Sequence, residues 1–112
     1  MARVELTVQD IVNTGLSETL IPADDTDNHV FDNDGRVFLR VVNGETDVTV
    51  TIKPGLVRSG LSLEDLTVLV PADESRVIGP FVVADFNQPG TTKVHVDIDD
   101  DTNVTIGAFR LP

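Results

Sequence analysis

The sequence predicts an all-β fold: a single antiparallel β-sandwich of jelly-roll type with one short helix near its N-terminus. Val and Thr, which favour strands, make up 18 and 12 of the 112 residues. Apolar and polar residues also alternate in about seven to nine short segments, spaced about 8 to 15 residues apart with turn residues between them. The length suits one domain over residues 1–112.

The helix is predicted near Val8 to Asn13. Thr7 precedes it as an N-cap, Gly15 follows it as a C-cap, and its apolar residues recur at helical spacing. A strand from Val4 to Val8 is the alternative, because apolar and polar residues alternate there.

The rest of the chain predicts strands with period-two alternation. Turn residues at Asn43-Gly44 and at Pro71 to Glu74 predict two hairpins, and Asp99 to Asp101 forms the last turn. A single helical turn is predicted over Val83 to Asn87. The main strands are Gly35 to Val42, Val48 to Ile52, Leu66 to Val70, Arg76 to Ile78, Thr92 to Ile98 and Val104 to Leu111.

Acidic residues dominate the charge, with 14 Asp and 5 Glu against 6 Arg and 2 Lys, for a formal net charge of −11. This charge argues against direct binding to nucleic acid or an anionic membrane, because both would repel the protein. The absence of Cys excludes disulfides, a thiol nucleophile and a cysteine zinc site. An Asp-rich, Lys-poor composition indicates a salt-loving source, since molar salt shortens the Debye length to about 3 Å and screens carboxylate repulsion. An acidic protein of an ordinary organism is the alternative.

Two acidic segments are candidate cation sites: Asp24 to Asp34 and Asp97 to Asp101. An EF-hand loop needs acids at its first, third and fifth positions, Gly at the sixth and Glu at the twelfth. With Gly35 at the sixth position, Val30 and Val41 occupy the first and the last, so this motif fails. Solvated loops and turns are the favoured interpretation, and a looser calcium site is the alternative.

The residues form no recognisable catalytic motif. His29 and His95 would have to meet in one pocket to build a zinc site or a small cupin-like hydrolase or isomerase. A nucleophile elbow and a Gly-rich phosphate loop are both absent from the sequence. The sequence therefore predicts a protein that is not an enzyme and that has no catalytic residues, metal ligands or cofactor.

Several segments do carry a resemblance to a known family. They comprise a strand ending in Val-Pro-Ala, an acidic turn, an Ile-Gly-Pro-Phe step, a Phe-Asn pair and a final strand ending in Arg-Leu. Together they resemble a group of small virion structural proteins of tailed viruses. The segments are Leu66–Ala72, Arg76–Phe81, Phe86–Asn87, Lys93–Ile98 and Val104–Leu111, with further similarity over Thr7–Val12 and Asp32–Leu39.

The resemblance implies a capsid decoration, or auxiliary, protein that binds the outer surface of the major capsid protein lattice. It implies a symmetric homo-oligomer, with a trimer favoured, located on the virion after synthesis in the host cytoplasm. The Asp-rich composition points further to a virus of a haloarchaeal host. The alternatives are a tail or head–tail connector subunit and a calcium-dependent β-sandwich binding or adhesion module.

Overall fold

The computed structural model describes residues 3–55, 57–58, 61–62 and 65–111, so both ends of the predicted domain lie outside the described residues. The chain is mostly β, with a single helical turn. The elements are β1 (Val4–Leu6), β2 (Val8–Asp10), β3 (Ile21–Pro22), β4 (His29–Asp32), β5 (Val37–Val42), β6 (Val48–Lys53), β7 (Val57–Arg58), β8 (Leu61–Ser62), β9 (Leu66–Val70), β10 (Ser75–Ile78), α1 (Val83–Phe86), β11 (Lys93–Ile98) and β12 (Thr105–Arg110).

Two mixed sheets pack against each other, and β7 pairs with β8 in a separate ribbon. We call the first sheet A; its strand order is β1-β4-β11-β6-β9. We call the second sheet B; its order is β10-β5-β12-β2, and β3 also pairs with β12. The N-terminal strands β1 and β2 therefore lie at the edges of different sheets, and the N-terminal segment that contains both strands connects the two sheets.

The core lies between the sheets and is built from the inward-facing residues of each long strand. Burial alternates along β5, β6 and β11, as the period-two patterns predict. Complete burial of one such aliphatic side chain contributes about 1.5–3 kcal/mol to stability. Aromatic packing also stabilises the core, since the ring centroid of Phe81 lies 5.7 Å from that of Phe31 and 5.5 Å from that of Phe86.

The predicted helix at Val8 to Asn13 is wrong, and the alternative strand reading lies closer to the structure. Val8 to Asp10 forms β2, which pairs in parallel with β12 so that Val8 lies opposite Ala108. A six-residue helix is too short to be stable alone, whereas β2 gains ladder hydrogen bonds and packs Val8 against the core. Gly15 does adopt a positive φ of 101°, but in a turn where its N–H donates to the Val12 carbonyl.

The predicted purely antiparallel pairing is also wrong, because β1 pairs with β4 and β2 pairs with β12 in parallel. Both predicted hairpins fail for a related reason. Strand β5 belongs to sheet B and β6 to sheet A, while β9 belongs to sheet A and β10 to sheet B. The turn at Asp99 to Asp101 likewise leads from sheet A into sheet B. Each of these short connections thus crosses from one sheet to the other. The helical turn predicted at Val83 to Asn87 is confirmed as α1.

Candidate functional site

Four connections meet at one end of the molecule: 24–28, 43–47, 71–74 and 99–103. The register brings them there, because the pairs Val96–His29 and Val48–Val70 lie at the corresponding ends of their strands. We call this set of loops the acidic end. It combines parts of both predicted acidic segments with two turns that the sequence analysis did not mark as functional.

The acidic end contains most of the uncompensated charge. Every described Lys or Arg side chain forms a salt bridge within 4.0 Å, and these bridges leave ten described carboxylates without a cationic partner among the described side chains. One of the ten, Asp85, lies in α1. The other nine lie on the four loops: Asp24, Asp25, Asp27, Glu45, Asp47, Asp73, Asp99, Asp100 and Asp101.

Hydrogen bonds hold these loops together. The N–H of Asp25 donates to Asp101 Oδ2 at 3.4 Å, and the hydroxyl of Thr46 donates to Asp100 Oδ2 at 3.2 Å. The N–H of Ala72 donates to a carboxylate oxygen in the 43–47 loop at 3.0 Å. Carboxylates that accept such bonds favour the ionised form. Accordingly, the backbone N–H of Thr102 lowers the pKa of Asp100.

Three carboxylates of the acidic end converge most closely. Ligand oxygens of Asp24, Asp25 and Asp101 lie within 4.8 Å of one another. Asp24 Oδ1 also accepts the N–H groups of Asp27 and Thr26, and these bonds lower the pKa of Asp24. Three carboxylates at this separation match the oxygen chemistry that calcium prefers, although calcium takes about six to eight ligands.

Strand β4 carries the remainder of the first acidic segment away from this group. Asp32 accepts a hydrogen bond from Thr92 and pairs with Lys93, and these contacts lower its pKa. Asp34 lies in the next turn and pairs with Arg36 and Arg110. The segment Asp24 to Asp34 is therefore divided between the two ends of the molecule and does not form one site.

The last acidic segment is divided in a similar way. Asp97 lies on the outer face of sheet A, where its carboxylate accepts Arg3 Nη1 at 2.6 Å and lies 3.4 Å from Lys53 Nζ. Only Asp99, Asp100 and Asp101 belong to the acidic end. The sequence analysis grouped all four acids, whereas burial alternates along β11 and places Asp97 on the side of the sheet opposite the inward Val96 and Ile98.

The two histidines face opposite sides of sheet A. His29 is completely buried, and its Nε2 accepts the Asp24 N–H at 3.0 Å while Nδ1 lies 3.2 Å from the Val4 carbonyl oxygen. Both contacts are satisfied by a neutral ring protonated at Nδ1. Burial lowers the pKa of His29. His95 lies on the outward side of β11 opposite Val30, so the two imidazoles share no pocket.

Three residues from the segments that carry the family resemblance, Asn33, Phe81 and Asn87, meet away from the acidic end. The side-chain amide of Asn33 donates to the Phe81 carbonyl at 3.1 Å and to Asn87 Oδ1 at 2.8 Å. Asn87 donates in return to the backbone carbonyl of Asn33 at 3.2 Å. These contacts join the β4–β5 turn to the segment around α1, so this set of motif residues has a structural role.

Comparison with known proteins identifies no relative: no family model, curated protein or solved structure matches the chain. Among the described residues, no helix has the length and apolar character needed to cross a membrane.

The sequence analysis missed Glu45, Asp47 and Asp73 as members of the acidic end. The signal that could have found them is the direction of the strands. Because successive long strands reverse direction, alternate turns fall at the same end of a two-sheet fold. Tracing the turns in this way would have grouped the 43–47 and 71–74 loops with the two acidic segments.

Proposed function

We propose that the protein is a virion structural protein, a capsid decoration protein that binds the outer surface of the major capsid protein lattice as a symmetric homo-oligomer. In this proposal the two packed sheets form a jelly-roll-like β-sandwich. The observation that carries the proposal is the separation of two kinds of surface. Uncompensated carboxylates collect on the loops of one end, whereas none of the exposed large apolar side chains lies on those loops.

This separation suits a protein that sits on a particle. One surface must bind the particle or a neighbouring subunit, and another must remain in solvent. The acidic end would remain in solvent, because nine carboxylates without cationic partners are costly to desolvate. In concentrated salt their mutual repulsion is screened, so the proposed haloarchaeal setting favours such a surface.

The construction of the sheet edges supports the same role. Strand β1 covers the outer edge of β4 in sheet A, and β2 and β3 cover the outer edge of β12 in sheet B. These strands have three residues or fewer, and such short edge strands oppose uncontrolled strand pairing at the high local concentration of a capsid surface. The resemblance to virion structural proteins supplies the identity of the particle.

Mass spectrometry of purified particles from cells that produce the chain tests the proposal. We expect the protein among the virion components, and its absence from them would defeat the virion role. Native mass spectrometry then separates the positions within the particle. A dimer, trimer or pentamer fits capsid symmetry axes, whereas a hexamer or a twelvefold ring supports the tail or head–tail connector alternative.

A second candidate function, a calcium-dependent binding or adhesion module, is favoured by the convergence of Asp24, Asp25 and Asp101. Titration calorimetry with calcium in molar KCl tests it. Binding that is lost in Asp101→Asn and kept in Asp85→Asn would support it, because Asp85 is an uncompensated carboxylate outside the acidic end. Absence of binding heat in the unmodified protein would eliminate this candidate.

A further inference from the structure

The outer side of sheet B carries aromatic and aliphatic side chains, of which Phe38 is partly buried and Phe109 is 4% exposed. Phe38 lies opposite Phe109 on neighbouring strands, and the two rings stack with centroids 5.8 Å apart. Arg40 lies between Gly107 on one side and Val77 on the other. Val77 is 63% exposed, the highest value among the described large apolar residues.

The segment 11–20 crosses part of this face without regular secondary structure, and we call it the strap. The side-chain amide of Gln9 holds it at Thr19, donating to the Thr19 carbonyl at 2.8 Å and accepting the Thr19 N–H at 2.9 Å. The strap passes so close to β12 that a Cβ atom on Gly107 would lie 2.7 Å from a methyl group of Leu20.

The strap leaves an open cavity of about 280 Å³ above the stacked phenylalanines. Its lining consists of Ile11, Leu16, Glu18, Phe38, Arg40 and Phe109. Because Val77 lies directly beside Arg40, a projecting aliphatic side chain and an apolar cavity occupy neighbouring positions on one face. Leu16, which lines the cavity, is itself 36% exposed, and the exposed Val12 follows the lining residue Ile11 in the chain.

The charges around this face are paired within it. Glu18 and Arg40 form a salt bridge at 2.7 Å beside the cavity. Arg110 lies opposite the buried Val37 and therefore faces the other side of β12, where it binds Asp10 at 2.8 Å and Asp34 at 3.4 Å. Two such faces can therefore meet without opposing uncompensated carboxylates, although the whole chain has a net charge of −11. The acidic end does not have this property, because two copies of it would repel each other.

From these observations we infer that the outer face of sheet B is the surface through which copies of this chain associate. A projection beside a cavity on the same face is self-complementary. In a two-fold arrangement, Val77 of each copy enters the cavity of the other. This contact predicts a dimer, where the family resemblance implies a trimer. The internal pairing of charge favours a second copy over a strongly acidic or basic partner, since neither would find an opposite net charge there.

The other outer face offers a matched control. The outer face of sheet A presents threonines and ion pairs, including the pair of Lys93 with Glu5 at 2.8 Å. Its edge strand β9 carries the exposed apolar residue Leu69, which is 54% exposed and lies opposite Thr49. A charged residue at Leu69 therefore changes a comparably exposed apolar position on the face that is not expected to associate.

Sedimentation equilibrium in molar KCl tests this inference on the full chain. The unmodified protein is expected to self-associate, and Val77→Asp and Leu16→Asp are each expected to weaken association by about tenfold or more, as for central residues of an interface. Leu69→Asp should associate like the unmodified protein. Thermal unfolding, followed by circular dichroism, shows whether each variant is folded. If Val77→Asp does not fold, Leu16→Asp in the strap tests the same surface.

A monomeric unmodified protein at about 100 μM would overturn the inference, since it would exclude even weak association. Equal weakening by Leu69→Asp would also overturn it, because association would then not depend on this face. The inference rests on one part of the proposed function, the homo-oligomer, and does not depend on binding to the capsid lattice. If the chain associates through this face but is absent from particles, the virion role alone fails. If it is present in particles as a monomer, the association surface alone fails.

Discussion

Replacing His29 by Leu removes a buried hydrogen-bond acceptor from a backbone N–H. In the folded protein His29 Nε2 accepts the Asp24 N–H at 3.0 Å in a half-buried position where the loop 24–28 begins. Leucine offers no acceptor, so this N–H loses its partner at a cost of about 1–3 kcal/mol. We therefore expect His29→Leu to lower the free energy of unfolding by about that amount at pH 7.5.

The same residue makes stability depend on pH. Burial lowers the pKa of His29 below its ordinary value of 6.5. As pH falls below that value, the unfolded state binds a proton that the folded state does not, so the stability is lost progressively toward the lower folded pKa. The maximum slope for one proton is about 1.4 kcal/mol per pH unit. His29→Leu should flatten the stability profile between pH 7 and 5 by this contribution.

Urea denaturation followed by far-ultraviolet circular dichroism measures both effects, because the chain has no Trp or Tyr for fluorescence. His95→Leu is the matched control. Burial also lowers the pKa of His95, but this residue faces outward and contacts no buried N–H among the described residues. It should therefore change stability at pH 7.5 by about 0.5 kcal/mol or less. A profile for His29→Leu that runs parallel to the unmodified one would refute the reasoning.

Two further predictions concern backbone packing and salt. Gly55→Ala should destabilise the protein far more than Gly90→Ala in thermal unfolding, because the added Cβ would overlap the Asn87 carbonyl oxygen. Gly90 has open space around it and only a strained φ of 75°. Similar losses in the two variants would contradict the close approach at Gly55. Neutralising three loop carboxylates should raise the low-salt melting temperature by about 4 °C for each kcal/mol of repulsion removed, and should reduce its further rise in molar KCl. Asp85→Asn should leave both values unchanged, and a salt response equal to that of the unmodified protein would contradict the prediction. The three changes are Asp25→Asn, Asp27→Asn and Asp73→Asn.

The positions and inward faces of the main strands could be predicted from the sequence because they depend on local alternation. Val48, Val50 and Ile52 alternate with polar residues, and all three are fully buried. The strand partners could not be predicted in this way. An Asn-Gly pair marks a hairpin when strands flank it directly, but β5 and β6 are separated by five residues, 43–47. Five residues also suffice to cross from one sheet to the other.

The candidate site was predictable only in part for the same reason. The acidic composition of its loops is visible in the sequence, yet the contact between Asp25 and Asp101 joins residues 76 positions apart. The N-terminal strand β2 shows the opposite failure. Its local pattern favours a helix, and only the parallel pairing of Val8 to Asp10 with β12 explains why the extended conformation prevails.

The placement of charge limits the contacts that this chain can make with itself. If the unpaired carboxylates were spread over the whole surface, every orientation of two copies would oppose like charges, and association would depend on screening alone. Because these carboxylates lie together on the four loops instead, the charged side chains on the outer faces of both sheets are paired with one another. Of these two sides, the outer face of sheet B also combines a cavity with the most exposed valine. Charge and apolar exposure therefore select the same face, and Val77→Asp tests both at once.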